Sequence, residues 1–560
     1  MRYLIAVFIL LVSMSAVSQE GGAGFEDPRQ GFLDKAKSLP TAQLAKIPVR
    51  HEGRIKPFDS LARETVLFIT GKYKFWGLDP VQMYFGMVLF EQVDRLEIVN
   101  IREPDIREQL GFARDRRYVS VKELTDTNLQ QLAMPLMQQQ EASSKSLKPM
   151  EKQLLDVFHQ VWLVRQVQSA DQLFEALQFS DAARSGQDGA PHGGGEGKAI
   201  LSAGTVLLKS LAMGADQGVI ADQVSSLNQL LRAQPMDSRL QEQLGKVSME
   251  VTYTRMRLFF WTAILLLLMG GLAFWSPVAD RLKGSLWWLA GVPVLLMSYG
   301  LGLRTWITGF SPVTNMYGTM IWVALGVVLF SIILLKLYKQ ATMVGVIWLA
   351  AGGSLLFTEG MPLVLSPDLD PIMAVLRSNF WLTTHVLTIT ISYAAFSIAM
   401  MIGNAGLVRQ LLFPESRSGW LKSWSHMVYR MVQLGVFLLS VGIILGGVWA
   451  DYSWGRFWGW DPKETWALIA DIGFLLLLHG RFVGWIGPYA LLAWSPIAYL
   501  LVIMAWYGVN FILATGLHSY GFSSGGAKLV VTYMVSQVTL VVIAVLGAKL
   551  RSRVQMETKS

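Results

Sequence analysis

A chain of 560 residues that is 52% hydrophobic and only 16% charged is too apolar for an ordinary soluble protein. Its net charge of +8 is better explained by loop charges that orient a membrane protein than by nucleic acid, so no nucleic-acid partner is expected. There is no cysteine, which excludes disulfides, thiolate metal sites and a CxxCH haem-attachment motif of its own.

In chain order, Met1-Arg2 precedes an apolar stretch from Tyr3 to about Val12, and then "SMSAVS", in which Ala16 and Ser18 suit the small-residue positions of a cleavage site. Residues 1–18 read as a secretory signal peptide. The alternative is an uncleaved anchor, for which the apolar core is short; either way Gln19 onward lies outside the cytoplasm. Residues 19–255 form an extracytoplasmic region that is mainly helical by periodicity, as in "LRAQPMDSRLQEQLGKVSMEV". "ARSGQDGAPHGGGEGKA" interrupts it as a Gly-rich linker or disordered loop.

Residues 256–560 then read as a multi-helix membrane domain. Nine apolar stretches are long enough, or nearly so, to cross a bilayer: about 257–276, 286–303, 316–336, 342–358, 385–411, 429–450, 464–485, 489–513 and 528–549. The expected fold class is an all-α polytopic membrane protein. With residue 256 outside, the inner loops and tail carry thirteen Lys and Arg and the short outer loops five, which sets the C-terminus in the cytoplasm. In a bacterium this is the cytoplasmic membrane, with the N-terminal region periplasmic.

The chemistry concentrates in "WGRFWGWDPKETWALIADIGFLLLLHGR", residues 454–481. Asp461-Pro462-Lys463-Glu464 is a helix start, with Asp461 as cap, Pro462 at the first helical position and Glu464 completing a capping box. Capping does not account for Trp454, Trp458 and Trp460. They are either an aromatic belt at the membrane surface or a flat platform for an aromatic ligand, and belt tryptophans are usually scattered rather than packed into one loop. His385 in "NFWLTTHVLTI" and His518 in "NFILATGLHSYGF" fall at the same outer face. Two neutral imidazoles beside an aromatic platform suit axial ligation of haem iron.

His479 lies 15 residues after Glu464, about 22 Å along a helix, too deep to share a ligand atom with the outer pair. It is either a functional intramembrane group or a marker of the inner boundary beside Arg481. Asp471 sits about 10 Å into the same helix. A buried carboxylate there costs around 2.5–3.5 kcal/mol on insertion scales, so it should face protein or water; no role is assigned to it. His426, in an inner loop, and His192, in the Gly-rich stretch, read as solvated. His51 and His159 lie outside with no identifiable partner.

"WGRFWGWDPKETWAL", then "LHGR", then "GVNFILATGLHSYG" resemble the CcsA/ResC family and its tryptophan-rich WWD signature, which belongs to the haem-handling protein superfamily. The resemblance covers about residues 285–549; "SPVTNMYGTM" at 311–320 and "MVYRMVQLGVFLLSVGIILGGVWADYSWG" at 427–455 also fit the pattern. It implies one half of a System II cytochrome c synthase working with a CcsB/ResB-type membrane subunit, which is sometimes fused to it in one chain. By position, His385 and His518 match the outer histidines that ligate haem, haem b before attachment, and His479 matches a transmembrane histidine of an inner haem site. The implied substrate is apocytochrome c with its CxxCH cysteines, and the second intramembrane histidine is expected from the partner. "GRIKPFDSLARETVLFITGKYKFWGLDPVQMYFG" resembles an extracytoplasmic segment of fused versions, making this the C-terminal piece of a split synthase. The departure from the pattern is Asp471, where an apolar or aromatic residue is expected.

Overall fold

The computed structural model describes residues 28–142, 147–179, 195–274, 285–369, 380–413, 419–513 and 526–557. The expected signal peptide, most of the Gly-rich stretch and His192 lie outside them.

The N-terminal region is built mainly of helices, with two short two-stranded antiparallel sheets that periodicity did not reveal. Strands β1 (Pro48–His51) and β2 (Arg54–Pro57) pair in register Pro48↔Pro57 to His51↔Arg54, and β3 (Glu97–Asn100) pairs with β4 (Tyr118–Ser120). Glu52 and Gly53 turn the first hairpin with φ of 50° and 78°, the left-handed pair that a two-residue turn demands. Helix α1 (Phe58–Thr70) follows directly, so "RIKPFDSLARETV" forms a strand and a helix on one core.

Helix α2 (Ser238–Met256) carries the chain to the membrane domain and continues into α3 (Leu258–Phe274) through Arg257, whose left-handed φ of 48° breaks the rod. The N-terminal core ends at Val251 and a second core begins at Tyr253. The "RIKPFD" segment grips α2 by charge. Arg54 binds Glu250 through two 2.8 Å bonds, with Arg54 5% and Glu250 2% exposed, and Ser60 Oγ donates to Glu250 at 2.7 Å. Asp59 accepts from Arg63 at 2.7 Å and from Arg255 at 3.1 Å. Removing one partner of such a pair leaves a buried charge uncompensated, at about 3–5 kcal/mol. Arg54→Ala is therefore expected to lower the thermal midpoint of the N-terminal region sharply, whereas a surface change such as Arg114→Ala leaves it nearly unmoved; calorimetry on the full chain checks this.

The membrane domain continues with α4 (Gly291–Thr308), α5 (Met316–Tyr338), α6 (Ala341–Gly360), α7 (Phe380–Leu412), α8 (Trp420–Trp454), α9 (Pro462–Phe482), α10 (Pro488–Ile503, prolonged by a wider-wound turn to Leu513) and α11 (Ala527–Glu557). Among the described residues eight helices are long and apolar enough to span a membrane, counting α2 and α3 as one and α10 with its extension. The expected ninth segment, about 286–303, is instead split into Leu286–Leu289 and α4 and is not among the eight. Its C-terminal part is polar for a reason: Arg304 is buried and binds the Tyr253 hydroxyl at 3.2 Å and the Pro367 carbonyl at 2.8 Å, tying α4 to α2 and to the 361–369 loop.

Glycines let helices approach closely, as in many membrane bundles. A Cβ on Gly270 of α3 would meet the Gly345 carbonyl of α6 at 2.8 Å, and the converse holds for Gly345. Asn315, in the "SPVTNMYGTM" motif, caps α5 by accepting from the Gly318 N–H at 2.8 Å and donates to the Ser366 carbonyl at 3.0 Å. The motif is thus a capped corner under the loop that precedes α7. In that loop, burial pushes the Asp368 carboxyl up from its ordinary range, opposed by a hydrogen bond from Ser366 and by the Lys56 and Arg304 charges.

Candidate functional site

The loop between α8 and α9 is fixed from its C-terminal side. Asp461 is buried and accepts from the Lys463 N–H at 2.9 Å. Glu464 Oε2 accepts from the Asp461 N–H at 3.1 Å, completing the capping box read from the sequence, and from the Gly459 N–H at 2.8 Å. The cap therefore anchors the loop as well as the helix. Asp461→Ala should cost about 1 kcal/mol and increase quencher access to the loop tryptophans, measured by fluorescence.

Arg456 crosses the loop. Its guanidinium lies 5.8 Å over the Trp454 ring and 3.8 Å from Glu464, and it occupies the place where a Cβ on Gly459 would stand. The tryptophans do not form one plane. Trp454 packs edge-on to Trp449 at 4.6 Å, while Trp458 and Trp460 meet at right angles with centroids 5.8 Å apart. Trp460 has a left-handed φ of 55° and is 70% exposed. A large bare indole held out by a strained backbone residue, on a loop tied by three hydrogen bonds, is an unusual arrangement for a membrane belt and a natural one for a contact surface.

His385 reaches this loop through α8. It is half-buried on α7, and its Nδ1 lies 2.7 Å from the Gly442 carbonyl. A carbonyl accepts only, so Nδ1 carries the proton and the lone pair is on Nε2. This is the outer-shell contact typical of ligating histidines, in which the second ring nitrogen is held by a backbone carbonyl. The imidazole lies flat enough on α8 that a Cβ at Gly446 would fall 2.4 Å from Cε1. At the next residue, Gly447, a Cβ would fall 2.5 Å from the ring of Phe457. Gly446 thus seats the imidazole from α7, and its neighbour Gly447 a phenyl ring from the tryptophan loop. Sequence reasoning did not single out this pair or Phe457; two adjacent glycines eight residues before Trp454, inside a membrane helix, were the available signal.

His518 lies outside the described residues. His479 does not join the loop: it is exposed on the flank of α9, with Nδ1 2.8 Å from the Leu475 carbonyl one turn back on its own helix. Asp471 faces protein, as its cost requires, with one oxygen accepting from Ser440 Oγ at 2.7 Å on α8. His426, expected in a loop, is instead on the first turns of α8, because that helix begins at Trp420; its exposed ring meets Tyr338 edge-on at 6.0 Å. His51 is placed by the first hairpin beside Glu52 and Glu64, at 3.8 and 3.7 Å, a grouping its sequence neighbours concealed. Lys56, fully buried, is 2.5 Å from the same Glu64 and balances its charge.

His385 offers an imidazole whose tautomer is fixed, on a helix packed against the one that leads into the tryptophan loop, a donor of the kind that ligates haem iron. Residues 313–518 match the family described as "Cytochrome C assembly protein". Protein NrfI of Wolinella succinogenes is 28% identical over 533 residues, 88% of this chain and 56% of that protein, so the chain spans about half the length of that relative. The cytochrome c biogenesis protein CcsA of Synechococcus sp. (strain CC9902) is 32% identical over 295 residues, 47% of this chain and 95% of the relative. CcsA of Guillardia theta is 33% identical over 250 residues, 40% of this chain and 80% of the relative. The matched residues 313–518 contain the tryptophan loop and the seated histidine, and the chain belongs to the CcsA family of cytochrome c biogenesis proteins.

Proposed function

We propose that this chain is the haem-handling membrane subunit of a System II cytochrome c synthase. It holds haem b as cargo at the face bearing the tryptophan loop and presents it to the CxxCH cysteines of an apocytochrome c. The observation that carries the reading is His385: a tautomer fixed by the Gly442 carbonyl, an imidazole seated on Gly446, and the loop's Phe457 on the adjoining glycine. His518 is proposed as the second outer ligand, and Trp454, Trp458, Trp460 and Asp461 as the wall and its anchor. His479, exposed on the flank of α9, is proposed to meet a CcsB/ResB-type membrane subunit that brings a second histidine to an inner haem site. The N-terminal region is proposed to lie on the periplasmic side of a bacterial cytoplasmic membrane, and the C-terminus in the cytoplasm.

The attachment is redox-neutral. Each cysteine S–H adds across a haem vinyl group, so an S–C bond forms, the hydrogen goes to the neighbouring carbon and nothing leaves. No nucleophile is needed from this chain; what it contributes is orientation of two reactants, for which effective molarities are large. The cysteines must arrive reduced.

The test is co-expression with a CcsB/ResB-type subunit and an apocytochrome bearing CxxCH, read as covalent haem on a denaturing gel. Covalent haem that depends on both subunits is expected. Haem bound to the pair with no covalent product would overturn the synthase reading in favour of a chaperone that delivers haem to another ligase.

A further inference from the structure

A second, larger feature of the membrane domain lies away from the tryptophan loop. A cavity of about 1460 Å³ runs between α5, α6, α7, α10 and α11. It is well above the roughly 300–1,000 Å³ of small-molecule sites. At one end it is bounded by Lys339, Gln340, Arg409, Trp420 and Trp424, and at the other by Met361, Val364, Leu365 and Gly526. These ends are the two ends of α6, whose 20 residues span about 30 Å, the thickness of a bilayer's hydrocarbon core.

The two ends differ in charge. Lys339 is exposed just past the end of α5, and the Arg409 guanidinium stacks over Trp420 at 4.8 Å and Trp424 at 5.2 Å. Gln340 is held there by Trp424 Nε1 at 2.9 Å and Ser423 Oγ at 2.6 Å. Among the described residues that line it, the far end carries no charge. Between them the walls are aliphatic, Met and aromatic, and the polar groups at mid-depth bind one another: Asn404 donates to Gln537 at 2.8 Å, and Ser397 shares a 2.8 Å bond with the Tyr499 hydroxyl. No histidine and no carboxylate is among the described residues that line the cavity. One wall, α11, stands off the bundle: only 6% of its membrane window is buried, against 61% for α7. The cavity therefore has an apolar body, a lateral side guarded by a weakly packed helix, and one cationic, tryptophan-rimmed mouth.

We infer that this cavity is a binding site for an anionic glycerophospholipid, with the phosphate at Lys339 and Arg409 and the alkyl chains along α6 and α7. Basic pockets between membrane helices at a headgroup level are where anionic lipid heads bind, and tryptophans mark that level. Haem is also an anionic amphiphile, but this cavity offers it no imidazole. The inference is independent of the haem site at the tryptophan loop, which lies at the opposite end of α8 from Trp420.

The test uses the full chain purified in mild detergent, with phosphatidylglycerol as the probe. Native mass spectrometry is expected to show a retained glycerophospholipid. Added phosphatidylglycerol is expected to raise the thermal midpoint more than phosphatidylcholine does, because a ligand that binds only the folded state stabilises it. Ala350→Trp, which fills the cavity from α6, should cut retained lipid at least roughly tenfold and abolish that shift. Lys339→Gln with Arg409→Gln should keep lipid but lose the preference for phosphatidylglycerol. The inference is overturned if Ala350→Trp, still folded, retains as much lipid as wild type. It is also overturned if the two lipids shift wild type equally, or if solvent extraction recovers haem from wild type that Ala350→Trp lacks.

Discussion

Replacing His385 with alanine is expected to remove the outer-site share of the low-spin haem absorption, and to lower holocytochrome output at least roughly tenfold. That floor comes from outer-shell changes, which by themselves cost about 10–100-fold in metal affinity; losing the ligand itself should cost no less. The measurement is a reduced-minus-oxidised spectrum of chain co-purified with its membrane partner, beside His385→Ala, His518→Ala and the double variant. Alanine also deletes the 2.7 Å contact to the Gly442 carbonyl, so a loss could be structural. His385→Asn separates the two, because its side-chain amide can still donate to that carbonyl yet supplies no imidazole. Both variants are expected to lose the outer-site signal with the fold retained. A wild-type spectrum in the asparagine variant would show that the imidazole is not the ligand. Loss of fold without His385 would make it a structural residue. His479→Ala should leave the outer signal in place, since His479 sits on the flank of α9, about 27 Å along the helix from Asp461.

The parts of this architecture that follow from local rules were legible in the sequence. The apolar runs had bilayer length, and eight of nine appear as spanning helices. Asp461 and Glu464 sat at capping-box spacing, and the box forms. What failed were features set by contacts distant in sequence. The run 286–303 looked like a span by composition, but Arg304 at its end is committed to Tyr253 and Pro367, residues about 50 and 60 positions away. "RIKPFD" gave no local sign of its partners, because Glu250 and Arg255, which bind Arg54 and Asp59, lie nearly 200 residues on. In the site itself, the residue types were readable but not the seat. Gly446 and Gly447 are unremarkable within an apolar helix, and their meaning appears only when His385 and Phe457 are found pressed on them.

That seat carries the second large prediction, Gly446→Ala. In a helix interior alanine is favoured over glycine by roughly 0.5–1 kcal/mol, so on backbone grounds the variant should be at least as stable as wild type. The site demands the opposite. The new Cβ would stand 2.4 Å from His385 Cε1 and 2.6 Å from Nδ1, where carbon contacts settle at about 3.5–4.0 Å. The surrounding helix is backbone and cannot give, so the imidazole must lift by about an ångström, and its bond to the Gly442 carbonyl must stretch. Misplacement on that scale costs on the order of 10²-fold in reactions that depend on held geometry. Gly446→Ala should therefore lose haem and holocytochrome nearly as severely as His385→Ala, with an unchanged or raised thermal midpoint. Gly271→Ala, on α3 where a Cβ meets nothing within 4 Å, controls for the helical preference alone and should keep the full signal. Gly447→Ala should act through Phe457 instead, shifting the tryptophan fluorescence of the loop while leaving the histidine bond intact. A Gly446→Ala chain that is folded, haem-loaded and fully active would mean that α8 can back away from α7, and that the close seat is not what positions His385.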